Sequence, residues 1–219
     1  MGLRVLDATG GRCHIPRMAE IRSVCVYCGS SAGDDPDFAT AARALGAAIA
    51  RDGVRLVYGG GGVGLMGALS HAAMKAGGVV TGIIPDFLVA RERALQGARD
   101  VIVVKDMHER KRLLFENADA FVVLPGGIGT LEEVVEQLSW VQLQRHKKPV
   151  LLVNIKGFWD PFIALIGHLT TRGFIRSGSL RFLVAERIED ILPMLRAAVR
   201  DVPDLELHGP AAKAVAKEM

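Results

Sequence analysis

FVVLPGGIGTLEEVVEQ, Phe121 to Gln137, decides how this chain is read. Consecutive apolar residues mark a strand buried on both faces of a sheet. A glycine turn follows, and then a helix begins. Turns of this kind gather backbone N–H groups at the positive end of a helix, where an anion binds. Yet two glutamates, Glu132 and Glu133, stand at that mouth. Thr130-Leu-Glu-Glu133 fits S/T-x-x-E, so one reading is a capping box in which Thr130 caps the helix and Glu133 reaches back. The other is chemistry, because a carboxylate that repels a bare phosphate is useful beside a sugar that becomes cationic. At about 100° per residue, Leu131, Val134, Leu138 and Val141 form the core stripe of this helix. Glu133 shares another face with Gln137 and Trp140, and Glu132 one with Glu136 and Ser139. A tryptophan away from the core stripe points to a second covered face, a subunit interface.

Outward from this unit, strand-like runs alternate with helical patterns. The expected strands are Val24–Cys28, Val54–Tyr58, Val79–Ile84, Val101–Val104, Ala120–Leu124, Val150–Val153 and Phe182–Val184. Amphipathic stretches such as DFATAARALGAAIARDG lie between them. This alternation predicts an α/β fold, a Rossmann-like doubly wound parallel sheet with helices on both faces. Ligands in such folds bind outside the carboxyl ends of the strands. The 219 residues suit one domain, expected over residues 18–201. Residues 1–17, which precede a second possible start at Met18, are an N-terminal extension without clear period. Residues 202–219 form a Pro- and Ala-rich tail expected to fray.

Two further strand-to-helix glycine turns stand in the chain, YCGSSAG (27–33) and VYGGGGVGLMG (57–67). They add Gly29, Ser30, Gly60, Gly61, Gly64 and Met66 as candidate ligand contacts. Gly62, Gly64 and Gly67 satisfy G-x-G-x-x-G, and Asp86 follows at about the interval of the dinucleotide fingerprint. That supports a nicotinamide or flavin enzyme. Against it, the fingerprint lies on the second strand rather than the first, and Asp86 follows Pro85 in a turn. Three turns in one small domain suit one phosphorylated ligand gripped from several sides; tight helix–strand packing is the plainer alternative.

MHERKRLLFENA, Met107 to Ala118, has a helical period with Met107, Leu114 and Ala118 in one arc. Arg110 and Lys111 flank that arc, where an unpaired buried charge is costly. Either their stems snorkel to solvent, or both meet a phosphate or carboxylate at the sheet's carboxyl edge.

Bulk properties exclude several classes. A net charge of +3 is too small to imply nucleic acid. Charges and glycines interrupt every apolar run before the roughly 18 residues that a membrane span needs. The amino terminus lacks the apolar core of a secretory signal. With three cysteines the chain reads as cytoplasmic. Cys25-x-x-Cys28 has the redox-site form but sits in a strand, where odd spacing sends the thiols to opposite faces, so packing is expected. Cys13 and His14 have no partners at metal-ligand spacing, and no metal is expected.

PGGIGTLEE resembles the P-G-G-x-G-T-x-x-E signature of the LOG (Lonely Guy) cytokinin-activating phosphoribohydrolases, long labelled lysine decarboxylases. CGSS, YGGGGVGLMG, GIIPDFL, MHERK and WVQLQRHKKPV extend the resemblance over about residues 22–200. It implies a Rossmann-like fold, a homodimer or larger homo-oligomer, and cleavage of nucleoside 5′-monophosphates to free base and ribose 5-phosphate without a cofactor. The implied catalytic pair is Arg110 and Glu133. The implied ligand-binding positions are Glu92, Lys111, Gly126, Gly127, Ile128, Gly129, Thr130, Leu131, Glu132 and Ser139, where many relatives carry threonine. The glycine loops and Lys111 would hold the phosphate, with Arg110 orienting the base, the sugar or Glu133. The competing readings are a nucleotide-binding carrier and an NAD(P)- or flavin-dependent enzyme on the same loops. Lysine decarboxylation is disfavoured, since nothing marks a pyridoxal-phosphate lysine.

Overall fold

A computed structural model describes residues 20–92, 100–176 and 178–200. The expected extension and tail, with Cys13, His14 and Met18, lie outside the described residues.

Among the described residues, seven strands build one sheet: β1 (Ser23–Tyr27), β2 (Arg55–Tyr58), β3 (Val80–Pro85), β4 (Asp100–Val104), β5 (Ala120–Val123), β6 (Val150–Val153) and β7 (Leu183–Ala185). Each matches an expected strand, with ends displaced by at most one residue. All neighbours pair in parallel, in the order β4-β3-β2-β1-β5-β6-β7. The chain winds outward from β1 to β4, then returns to place β5 on the other side of β1. The crevice between β1 and β5 is therefore the topological switch point, where ligands bind in open α/β sheets.

Six α-helices among the described residues cover both faces: α1 (Pro36–Arg51), α2 (Gly64–Lys75), α3 (Met107–Glu116), α4 (Ile128–Gln142), α5 (Asp160–Thr171) and α6 (Ile188–Arg200). Alternate strand residues feed two cores. Val24, Val26, Leu56, Tyr58, Val122 and Leu151 pack under α1, α2 and α6. Cys25, Tyr27, Val57, Phe121, Val123 and Leu152 pack under α3, α4 and α5. Cys28 falls in the first core and Cys25 in the second, both as buried free thiols. That opposition is the expected strand geometry and removes the redox reading of the pair.

An aromatic ladder stiffens the second core beneath α4. Tyr27 stacks on Phe121 at 5.7 Å, Phe121 on Phe115 at 6.1 Å, and Trp140 meets Phe115 edge-on at 5.1 Å. Trp140 is thus packed within its own chain, so it is no evidence for a subunit interface on its face. The buried residues of α4 are Thr130, Glu133, Val134, Gln137 and Leu138. Leu131 and Val141 are only half-buried. The core-facing stripe is rotated from the expected one because three polar side chains point inward. No helix among the described residues is long and apolar enough to cross a membrane.

Candidate active site

At the switch point the β1 and β5 loops are tied together, the Gly29 amide donating to the Pro125 carbonyl at 3.0 Å. The Gly29 carbonyl accepts from Leu65 N at 3.1 Å and Met66 N at 3.3 Å, so the start of α2 joins the same junction. Gly64, at φ +59°, lets α2 come this close, since a Cβ there would lie 2.3 Å from the Ser30 carbonyl oxygen. Over this junction opens a cavity of about 210 Å³. Its walls bring together Gly29 and Ser30 from the β1 loop, Met66 from α2, Glu92, Arg110 from α3, and Gly127, Ile128, Gly129, Thr130 and Glu133 from the β5–α4 segment.

Arg110 is held by its helix. Asp106 caps α3, accepting from Glu109 N at 2.9 Å, and Glu109 reaches back to Lys105 N at 3.1 Å. This reciprocal cap fixes the first turn and sets Arg110 one turn in. Its Nε donates to the Ile83 carbonyl at 3.2 Å and its Nη2 to the Gly59 carbonyl at 3.1 Å. Both carbonyls lie at carboxyl ends of strands, the edge expected for this cation. A Cβ on Gly59 would sit 2.2 Å from Nη2, so only glycine admits the guanidinium there.

The capping box expected at α4 is not formed. The helix begins at Ile128, its N-cap is Gly127, and no side chain caps it. Thr130 and Glu133 are already inside the helix, so neither stands where the motif requires. The first-turn amides stay open to the cavity, at the positive end of the helix dipole.

Glu133 is 8% exposed. Burial raises its pKa to about 7, against the opposing pull of Arg110, and Glu132, Glu92 and Glu136 push it further up. Near neutrality it exchanges a proton with little bias, which suits a general base or acid. Burial also raises Glu92, opposed by Arg110 and Arg91. The site thus holds two carboxylates of raised pKa, one guanidinium and a fan of amides. Among the described residues, no cluster could hold a metal ion.

Other expected positions lie outside this cavity. Gly126 lines a neighbouring, mostly apolar cavity of about 240 Å³ with Leu65, Phe38 and Phe158, which shares Gly127 with the first. Gly60 lies against Ile84, and Gly61 against Met66 and Glu92, two residues of the cavity wall. Lys111, expected to grip phosphate, is already engaged: its Nζ lies 2.7 Å from Glu132 and 2.9 Å from Glu136. Burial opposes its charge, but those hydrogen bonds prevail and raise its pKa. Glu132 is thereby turned outward. Leu131 packs against the second core. Ser139 is exposed and donates to the Val135 carbonyl at 2.8 Å. Asp86 lies in a single 3-10 turn, its carboxylate accepting from Phe87 N at 2.6 Å. The G-x-G-x-x-G glycines serve close packing, Gly64 against Ser30 and Gly67 against Gly62, so the dinucleotide reading loses its support. Sequence reasoning missed Tyr27, Cys28 and Gly59 as lining residues. All three stand at carboxyl ends of strands, a signal available once β1 is known to flank the crevice.

A family model described as "Possible lysine decarboxylase" matches residues 66–194. The chain is 45% identical over 169 residues to the cytokinin riboside 5′-monophosphate phosphoribohydrolase LOG of Oryza sativa subsp. japonica, covering 77% of this chain and 70% of the relative. It is 43% identical over 178 residues to a cytokinin riboside 5′-monophosphate phosphoribohydrolase of Rhodococcoides fascians, covering 80% and 90%. Among solved structures, a molybdenum cofactor carrier protein of Chlamydomonas reinhardtii aligns with a TM-score of 0.62 at 20% identity, over 82% of this chain and 99% of that one. This last likeness concerns the fold alone. With its site built on PGGIGTLEE and MHERK, and with this degree of identity to both named enzymes, the chain belongs to the LOG phosphoribohydrolase family, whose shared model still carries the lysine decarboxylase description.

Proposed function

We propose that this protein hydrolyses the N-glycosidic bond of nucleoside 5′-monophosphates of the adenosine type, plain or N6-substituted. The observation that carries the reading is Glu133: a buried carboxylate with a pKa of about 7, facing a switch-point cavity with Arg110 and the open amides of α4. The C1′–N9 bond breaks, its electron pair leaves with the base, and C1′ gains oxocarbenium character. Ionised Glu133 stabilises that charge and takes a proton from water as the water oxygen bonds to C1′. The proton that Glu133 took passes on to the departing base, directly or through solvent, so that Glu133 is ionised again and ribose 5-phosphate remains.

The open amides at Gly127 to Thr130 receive the phosphate, as the dipole favours. Arg110, fixed on two strand-end carbonyls, directs its remaining N–H groups to the substrate. Lys111 acts less directly, holding Glu132 and Glu136 away from the phosphate. No step calls for a cofactor. Decarboxylation of lysine finds no support at this site, because no lysine is among the described residues lining its two cavities.

The working unit in this proposal is a homodimer or larger homo-oligomer built on the outer face of α4. Ile128, Val135 and Leu143 are 83%, 44% and 70% exposed there, a row of large apolar side chains beside Glu132 and Ser139. Two buried free thiols suit a cytoplasmic location. Incubation with AMP and with N6-isopentenyl-AMP, analysed for free base, tests the activity. Base release from either supports it, and release from neither overturns it.

A further inference from the structure

Gln137 lies one helical turn beyond Glu133, on the same face of α4. It is 0% exposed, and neither carboxamide atom makes a hydrogen bond to the protein. Burying an amide in that condition is destabilising, because its desolvation is not repaid. An apolar side chain of the same size would avoid that cost and pack as well against Val134 and Leu138. Glutamine here is therefore explained by a bond that forms in another state of the site.

The groups that face Glu133 identify that state. From α3 comes Arg110; from the segment before residue 93, Glu92; from β1, Cys25, Tyr27 and Cys28; from its own helix, Glu132 and Glu136. Only Arg110 is cationic, and its Nε and Nη2 are spent on the Ile83 and Gly59 carbonyls. Among the described residues, no side chain donates a hydrogen bond to the Glu133 carboxylate. Residues four apart on a helix stand about 5–6 Å from Cβ to Cβ, within reach of a glutamine–carboxylate bond. Ionisation of Glu133 creates a strong acceptor next to a donor that has nothing else to bind.

We propose that Gln137 is a positioning residue: its carboxamide N–H donates to the Glu133 carboxylate when that group ionises, holding it toward the substrate. This rests on the reading of Glu133 as the working carboxylate, but its central measurement does not need turnover. The ¹³C carboxyl resonance of Glu133, assigned by its loss in Glu133→Gln, is titrated in the native protein and in Gln137→Met and Gln137→Leu. Removing a donor disfavours the charged form, so both variants should titrate at higher pH. The expected displacement is about half a unit or more, roughly threefold in the ionisation constant. The acid limb of kcat/KM should move with it. Thermal midpoints should rise in both variants, because an unpartnered buried amide is gone. A higher midpoint with an unmoved Glu133 titration would overturn the proposal and leave Gln137 a packing residue. An inactive native protein whose Glu133 titration still moves would overturn the hydrolase reading and keep the pairing.

Discussion

Replacing Glu133 by glutamine should move activity and stability in opposite directions. The side chain keeps its shape but loses its charge and its proton chemistry. Losing a group aimed at transition-state charge costs roughly a hundredfold or more in kcat, about 2.7 kcal/mol. The stability effect follows from burial, which raises the folded-state pKa to about 7 while the unfolded chain keeps an ordinary carboxylate. A raised pKa contributes stability that is full below the unfolded value and lost as pH rises through about 7. The whole swing is on the order of 3 kcal/mol. Glutamine cannot ionise, so Glu133→Gln escapes this loss. At pH 4 it should melt with the native protein, and at pH 8 it should melt higher. The assay is kcat for base release at pH 7, with thermal melts at both pH values. A variant of native activity would refute the catalytic role, and an equal melting difference at pH 4 and pH 8 would refute the buried, proton-exchanging carboxylate.

Three further outcomes test other parts of the site. Adenosine should be cleaved at least tenfold more slowly than AMP, about 1.4 kcal/mol in the barrier, and equal rates would remove the phosphate from the α4 amides. Gly59→Ala puts a Cβ 2.2 Å from Arg110 Nη2 and should lower kcat/KM at least about tenfold. Gly167→Ala, in α5 with nothing within 4 Å, is its control and should leave activity unchanged; equal activity in both variants would show that Arg110 need not be held there. Val135→Arg, on the exposed row of α4, should shift the mass by light scattering from oligomer toward monomer. A native monomer, or an unmoved variant, would mean that copies do not meet on that face.

The sheet was legible because its strands are apolar at consecutive positions and separated by turns of glycine. Strand order was not, since it arises from crossovers far apart in the chain, and the β1/β5 crevice emerges only with that order. Arg110 stood out by helical period, as a cation flanking a core arc, and Glu133 by its place at the mouth of a glycine turn; their motifs then paired them. Periodicity misled at α4, where Thr130, Glu133 and Gln137 turn inward against the rule that polar faces meet water. The site itself causes that inversion. Thr130-x-x-Glu133 imitates a capping box, whereas a related cap forms at the helix that presents Arg110, where Asp106 accepts from Glu109 N and Glu109 from Lys105 N. The pairing of Lys111 with Glu132 and Glu136 joins two helices across a strand, and no local pattern signals it.

The central claim is that Glu133 and Arg110, at the β1/β5 crevice, break an N-glycosidic bond. Its most direct measurement is a product balance: purified protein with AMP, and separately with N6-isopentenyl-AMP, quantified for free base and ribose 5-phosphate. The two products are expected in equal amounts, with release suppressed roughly a hundredfold in Glu133→Gln. Nucleotide that binds and is recovered intact, or base release that survives the loss of Glu133, would contradict it.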